Sequence, residues 1–183
     1  MLSKNPRDDM KKILFEEEQI QARVAELGAQ LGADYADKTP LMICVLRGAA
    51  FFFTDLCRKM DCKMDMDFIA VSSYGHGQAS TGAVRLVKDV SIDMTGRHVI
   101  IVEDIIDTGL TLRYLTKLFK ARNAASVATV AFLDKKERRE VDMNVDYSGY
   151  VIPNEFVVGY GLDFEDYLRN LPYIGVLKEE CYS

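Results

Sequence analysis

Histidine is scarce in this chain. Two of them, His76 and His98, are all that 183 residues provide, which leaves a histidine-based metal centre or a Ser-His-Asp triad little to work with. His98 opens a strand and reads as packing. The four cysteines, Cys44, Cys57, Cys62 and Cys181, have neither paired metal-ligand spacing nor a Cys-x-x-Cys motif, and two lie in apolar segments, so they read as free structural thiols. No Gly/Ser-rich or Pro-rich linker and no repeat divides the sequence, and its length suits one domain with its own core. No apolar run is long enough to span a membrane, and Met1 to Phe15 carries no signal-peptide pattern; a soluble, cytoplasmic protein without a membrane partner is the expectation. An excess of positive charge is missing as well. The net charge of −5 counts against nonspecific binding of nucleic acid, which normally needs a basic face.

What is present is concentrated between Val99 and Thr111. His98 to Val102 is an almost unbroken β-branched run, the pattern of a strand covered on both faces of a parallel sheet. It stops at Glu103 and Asp104, which cannot continue a buried strand without partners and are therefore expected at its carboxyl end, where open α/β sheets place their ligands. The turn Asp107-Thr108-Gly109-Leu110-Thr111 leads into a helix over 112–122 with Leu112, Leu115, Leu118 and Phe119 on one face. Gly109 lets backbone approach a ligand, Thr108 and Thr111 offer hydroxyls, and the first amides of the helix point the same way, which suits a small dianion such as a phosphate monoester. A nucleotide P-loop is excluded, because it needs a longer glycine-rich span ending in Lys-Ser or Lys-Thr. A sugar phosphate follows. An adjacent acid pair beside it suits ribose hydroxyls or a divalent metal. A lone Asp-Thr-Gly would read as an ordinary strand, turn and helix with capping acids, but three acids and two threonines at this spacing go beyond that.

This stretch resembles, over its whole length, the phosphoribosyl pyrophosphate motif of the phosphoribosyltransferases, specifically the hypoxanthine-guanine type, with Asp107 as the discriminating residue. The resemblance runs from about Val45 through Leu177. It implies a type I phosphoribosyltransferase fold of the α/β class: a central, mostly parallel sheet flanked by helices, with a small hood. The core would span about 36–146. The hood would be formed by about 147–183 with the N-terminal segment, and a mobile lid by about 72–82.

The remaining chain can be read both ways. Residues 16–35 form an amphipathic scaffold helix through Ile20, Val24, Leu27 and Leu31. Leu41 to Leu46 is a short apolar strand, followed by Arg47-Gly48 and an aromatic helix over 51–60. Alone, Arg47 would be a helix-start residue; the resemblance implies a pyrophosphate-binding loop at Arg47 and Gly48 with a cis peptide before Arg47. The strand over 64–72 runs into a polar, glycine-rich loop whose composition fits a lid, and Ser73-Tyr74 matches the family's lid pair. Its return strand is expected over 83–87. Ser126 to Leu133 is a second buried strand, ending in a charge run in which Glu137 to Arg139 read as a solvated face. The resemblance singles out Lys135 as the donor to the exocyclic oxygen of a 6-oxopurine. In the last third, which lacks a long helix, it implies that Phe156 stacks on the purine, the Val157 backbone reads its edge, Asp163 helps hold magnesium and Arg169 meets pyrophosphate. Read alone, Phe156 is simply a core residue. Phe164 stands where the family pattern would have Tyr.

The function so implied is purine salvage: transfer of the phosphoribosyl group from phosphoribosyl pyrophosphate to hypoxanthine or guanine, giving IMP or GMP and pyrophosphate. Magnesium would sit at Glu103, Asp104 and Asp163, the 5′-phosphate in Asp107 to Thr111, and Asp107 would be the general base. An acidic protein must hold a polyanion through local amides, a few aimed basic residues and metal ions, and the acid-rich strand end supplies the metal ligands. A homodimer or homotetramer is implied. The alternatives are a transferase preferring xanthine and, on the same fold, a nucleotide-sensing RNA-binding regulator, which the acidic balance disfavours.

Overall fold

In the computed structural model, which describes residues 2–73 and 84–182, the apolar runs become the strands of two sheets. In chain order the elements are β1 (Met10–Phe15), α1 (Glu17–Asp34), β2 (Leu41–Leu46), α2 (Ala50–Lys59), β3 (Asp65–Ser73), β4 (Val84–Lys88), β5 (His98–Ile106), α3 (Leu110–Ala121), β6 (Ser126–Asp134), β7 (Tyr147–Val151), β8 (Val157–Val158) and β9 (Ile174–Leu177). Six strands form the large sheet in the order β4-β3-β2-β5-β6-β7, parallel throughout except where β4 returns antiparallel to β3. Helices cover both faces, the expected α/β architecture.

Side-chain alternation sorts the core. Met42, Cys44, Ile100, Val102, Val130 and Phe132 face α1 and α2, where Ile20, Leu27, Phe52 and Leu56 meet them. Leu41, Ile43, Val45, Val99 and Ile101 face the other way onto Leu112, Leu115 and Phe119 of α3. Because both faces are covered, β5 can hold four consecutive residues, Val99 to Val102, without exposure, as the β-branched run required. Phe52, Phe53, Phe119 and Phe132 are fully buried, each contributing roughly 1.5–3 kcal/mol of transfer free energy. Cys44 and Cys57 are unpaired thiols in this core, both pushed up to about 12 by burial, with Glu103 and Asp104 adding to the effect at Cys44. His98 packs edge-on against Tyr35 and its Nδ1 lies 2.7 Å from Ser126 Oγ.

Strand order locates the site before any side chain is considered. The chain steps from β2 outward to β3 on one side and from β5 outward to β6 and β7 on the other, so the direction of winding switches between β2 and β5. A crevice opens outside the carboxyl ends of strands at such a point. The residues there are Arg47-Gly48 after β2 and Glu103-Asp104 on β5.

Some boundaries differ from the sequence reading. β5 continues through Ile106, and Glu103 and Ile105 still pair with Ala131 and Leu133 of β6, so the acid pair lies within the strand's last residues and not beyond it. α3 begins at Leu110. Tyr147–Val151, which the resemblance grouped with the hood, pairs with β6 as the sixth strand of the large sheet. Gly149 makes this possible, since a Cβ there would stand 2.3 Å from the Phe132 carbonyl oxygen. The second sheet, β1-β9-β8, is antiparallel and joins the start of the chain to its end. The lid expected over about 72–82, including Tyr74, lies outside the described residues apart from Ser72 and Ser73, which end β3. Among the described residues no helix is long and apolar enough to cross a membrane.

Asp67 fastens β3 to the turn that feeds β5. One carboxylate oxygen accepts from the amides of Ser91 and Ile92 at 2.6 and 2.9 Å, the other from Phe68 at 2.7 Å, and Lys88 Nζ lies 3.7 Å away. Burial alone would raise this carboxyl, but the three amides and the lysine outweigh it and hold it below its ordinary range. A group depressed in the fold contributes stability above its unfolded value, and that contribution disappears as pH falls through the folded value. Asp67→Ala is therefore expected to lose about 1–3 kcal/mol, or roughly 2–8 °C in Tm, at pH 7, because it strands amides that are otherwise paired. The gap between variant and wild type should narrow steadily below about pH 4, near the unfolded Asp value. Thermal melts from pH 3 to 7 that show a constant gap would contradict this account.

Candidate active site

The acid pair is an electrostatic problem created by the fold. Glu103 is 8% exposed and its Oε2 is buried with no hydrogen-bond partner. Burial first, then the neighbouring Asp104 charge, push its carboxyl well above the usual range. Asp104 is pushed up to about 6, again mainly by burial, although its Oδ1 accepts from the Ile105 amide at 2.8 Å and the Arg169 guanidinium pulls the other way. A buried, unpartnered carboxylate oxygen on Glu103 beside a second acid favours an incoming cation or hydroxyl donors.

The loop after β2 closes on this pair. The Leu46-Arg47 peptide is cis, as the resemblance implied. Gly48 approaches so closely that a Cβ there would lie 1.7 Å from Asp104 Oδ2. On its far side stands Gly161, at φ +101°, where a Cβ would fall 1.9 Å from the Gly48 carbonyl oxygen. Three segments distant in sequence thus touch through two glycines: Asp104 on β5, the loop after β2, and the turn after β8.

That turn gathers cations. Arg169 Nη2 lies 2.7 Å from Asp163 Oδ1 and its Nη1 donates to the Gly161 carbonyl at 2.8 Å. Asp166 Oδ1 accepts from Arg47 Nη2 at 2.7 Å and faces Arg169 Nη2 at 3.3 Å. Arg47 and Arg169, predicted to act on one ligand group, do come together, through Asp166. Sequence reasoning gave Asp166 no part, and nothing short of the fold would bring residues 47 and 166 to one carboxylate. The backbone is left-handed at Glu165, Asp166 and Leu168, with φ of +50°, +68° and +72°, a rare run for residues other than glycine.

The turn between β5 and α3 is built as its sequence suggested. Gly109 precedes α3 at φ +83°, with no side-chain cap on the helix, so amides of the first turn remain available to an anion. Glu103, Asp107, Thr108, Gly109 and Thr111 line a pocket of about 100 Å³ with Ile105, Ile106 and Leu112. Lys135 is 7% exposed, and its amide donates to the Ile106 carbonyl at 2.9 Å. Burial lowers its ammonium, Asp107 raises it, and Arg138 lowers it. Lys135 and Asp107 therefore share one electrostatic neighbourhood, on the same edge as the acid pair.

The charge run after Lys135 is not a solvated face throughout. Glu137 to Arg139 were read as a solvated face, yet Arg139 is largely buried in an ion pair with Asp134, and its Nη1 donates to the Asp107 carbonyl at 3.3 Å. Arg138 Nε stands 3.0 Å from Asp107 Oδ1, an ion pair without hydrogen-bond alignment. Glu140 N donates to the Thr108 carbonyl at 3.0 Å, and the Arg139 and Val141 side chains lie where a Cβ on Gly109 would fall. The segment clamps the turn between β5 and α3. The available signal was Asp134, an acid at the end of a buried strand that had to find a cation.

Phe156 is 40% exposed, consistent with a ring open to a ligand and not with core packing, whereas Val157 is buried against the main core. Asp163 already has partners on both oxygens, Arg169 and the Asp166 amide. Among the described residues no three metal-ligating side chains converge. The donor set nevertheless fits magnesium, which takes one or two carboxylates and leaves the rest of its shell to water and substrate oxygens; the unpartnered Glu103 Oε2 beside Asp104 is such a donor.

Comparison with known proteins agrees with this arrangement. The phosphoribosyl transferase domain matches residues 11–165. A hypoxanthine-guanine phosphoribosyltransferase of Streptococcus thermophilus is 53% identical over 175 residues, covering 96% of this chain and 97% of its own length. One from Streptococcus agalactiae is 52% identical over 176 residues, with coverages of 96% and 98%. The crystal structure of a hypoxanthine phosphoribosyltransferase from Staphylococcus aureus superposes with a TM-score of 0.93 at 46% identity, covering 97% of this chain and 96% of that one.

The Gly48 contact gives a direct test. Gly48→Ala should displace the Asp104 carboxylate and weaken binding of phosphoribosyl pyrophosphate by about tenfold or more, the cost of misplacing a positioned group, while the melting temperature stays near that of wild type. Unchanged affinity measured by calorimetry would remove this contact from the site.

Proposed function

The chain belongs to the phosphoribosyl transferase domain family, and from that premise we propose that it is a purine-salvage enzyme joining hypoxanthine or guanine to phosphoribosyl pyrophosphate, giving IMP or GMP and pyrophosphate. The observation that carries this reading is that the buried Lys135, whose amide is bonded to the end of β5, lies in the field of Asp107 on the edge that holds the acid pair. A 6-oxopurine offers an acceptor oxygen and an imidazole-ring proton on adjacent edges, which suits an ammonium donor beside a carboxylate acceptor.

In this account the barrier is loss of pyrophosphate from the anomeric carbon as positive charge grows on the sugar. The 5′-phosphate is held by Asp107 to Thr111, far from the breaking bond, so its binding energy is used for positioning. Glu103 and Asp104 take the ribose hydroxyls and place negative field near the developing cation. Arg47, Gly48 and Arg169 orient the leaving pyrophosphate, with Asp166 keeping both guanidiniums assembled until it arrives. Asp107 accepts the imidazole-ring proton while a ring nitrogen attacks, Lys135 holds the exocyclic oxygen, Phe156 stacks on the base, and the Val157 backbone reads its edge. Magnesium held by Glu103 and Asp104, with Asp163 nearby, would offset charge on the departing pyrophosphate. Ser73 and Tyr74 would belong to a lid that excludes water, with the hood and core divided after β7. The exposed apolar side chains Phe51, Met66 and Phe68 on α2 and β3 support a homodimer or homotetramer.

Nucleotide formation from phosphoribosyl pyrophosphate and magnesium, with hypoxanthine, guanine, xanthine, adenine, orotate and uracil offered singly, tests the reading. Turnover with hypoxanthine and guanine is expected and turnover with adenine, orotate and uracil is not; product from adenine but not hypoxanthine would overturn it. Asp107→Asn should lower kcat by about 10²–10⁴ with phosphoribosyl pyrophosphate affinity nearly unchanged. Equal loss of both would remove Asp107 from the general-base role.

A further inference from the structure

A stacking ring is useful only if its plane is fixed, and the local chain does little to fix Phe156. It precedes a two-residue strand and is 40% exposed. Two other rings reach it. Tyr182 lies nearly parallel, with centroids 5.0 Å apart and planes at 29°, and Phe164 meets it edge-on at 6.0 Å and 84°. Both arrangements are the ones aromatic quadrupoles favour.

The Tyr182 contact is framed by backbone. Leu177 N donates to the carbonyl of Phe156 itself at 3.0 Å, so β9 is tied to the residue whose ring is in question. Lys178 N then donates to Asp9 O at 3.0 Å, Cys181 N to Lys178 O at 3.0 Å and Tyr182 N to Glu179 O at 3.1 Å, folding the segment back in a single turn. Cys181 and Phe164 pack against the cluster of Met10, Val158, Leu168, Leu171 and Leu177. Val157, Ile174 and Val176 point instead into the main core, so Cys181 and Phe164 lie on the opposite face of the small sheet. Tyr182 directly follows Cys181 of this outer cluster, whereas Lys135 and Asp107 come from the edge of the large sheet.

We infer that Tyr182 is a positioning residue for the base: it backs one face of Phe156 and leaves the other presented flat to the purine. The inference rests on the transferase reading above and adds a residue to it. Tyr182 touches neither substrate. It acts through Phe156, whose ring is already restrained by Tyr182 and Phe164 and therefore loses less freedom when the base arrives. The backing is a ring-on-ring contact, so its effect depends on the flat face and not on the Tyr182 hydroxyl. Stacking reads no hydrogen-bond pattern, so hypoxanthine and guanine benefit equally.

The test is steady-state kinetics of the whole protein, wild type against Tyr182→Ala, Tyr182→Leu and Tyr182→Phe, with base and phosphoribosyl pyrophosphate varied separately. Alanine, and leucine which keeps apolar bulk without a flat face, should raise KM for hypoxanthine and guanine alike by about 3- to 10-fold, the range a lost aromatic pair spans. The KM for phosphoribosyl pyrophosphate and kcat should stay within about twofold, the pattern of lost base binding, and Tyr182→Phe should restore the wild-type base KM. A base KM unchanged in the leucine variant would overturn the role, as would a lower base KM in the alanine variant, which would make Tyr182 an occupant of the purine's seat. A wild-type protein that turns over neither base would overturn the transferase reading itself, so the two failures are distinguishable.

Discussion

Two carboxylates side by side at the end of a buried strand are the constraint around which the rest of this protein is arranged. Glu103 and Asp104 sit where β5 is still paired with β6; burial raises the proton affinity of both, and the Asp104 charge raises that of Glu103 further. Such a pair opposes folding and is tolerated only where something else uses it. Asp104 is pinned by contact with Gly48, and Gly48 by contact with Gly161, so the loop after β2, the strand β5 and the turn after β8 are placed against each other by the absence of two side chains. The cations of that turn face the pair without satisfying it: Arg169 is held by Asp163, Asp166 and the Gly161 carbonyl. The negative potential remains for a ligand that brings its own positive charge or hydroxyl donors.

The other half of the site is held more stiffly. The turn from Asp107 to Thr111 is bounded by α3 on one side and on the other by the Arg139–Val141 segment, fixed by the buried Arg139–Asp134 pair. In the proposed reading, a rigid anchor for a phosphate beside the acid pair would separate binding from chemistry: one end of a phosphorylated sugar would be held by amides and hydroxyls, while the end that reacts would meet the buried carboxylates.

Much of this was legible in sequence because the relevant signals are local. A β-branched run ending in two acids, then Asp-Thr-Gly and an amphipathic helix, encode strand, turn and helix within one short stretch, and Arg47 and Arg169, which the resemblance assigned to one ligand group, meet at Asp166. The failures are of two kinds. Boundaries slipped where polar residues continue a strand, as at Glu103 to Ile106, because pairing with β6 overrides the polarity of the side chains. Partners were missed where they are far apart in sequence or hidden in a charge run. Asp166 joins Arg47 and Arg169, Arg138 faces Asp107, Arg139 neutralises Asp134, and Tyr182 stacks on Phe156; only the fold shows what these residues touch.

The central claim is that the acid pair is kept for the ligand at the expense of the fold. Thermal stability and phosphoribosyl pyrophosphate binding, measured together on Glu103→Gln and Asp104→Asn at pH 7, test it most directly. Removing charge from a carboxyl that folding pushes upward should stabilise the protein at that pH, raising Tm by about 2–6 °C, while binding in the presence of magnesium falls at least about tenfold. A lower Tm in both variants with binding intact would mean that the acids are structural, and the account would fail.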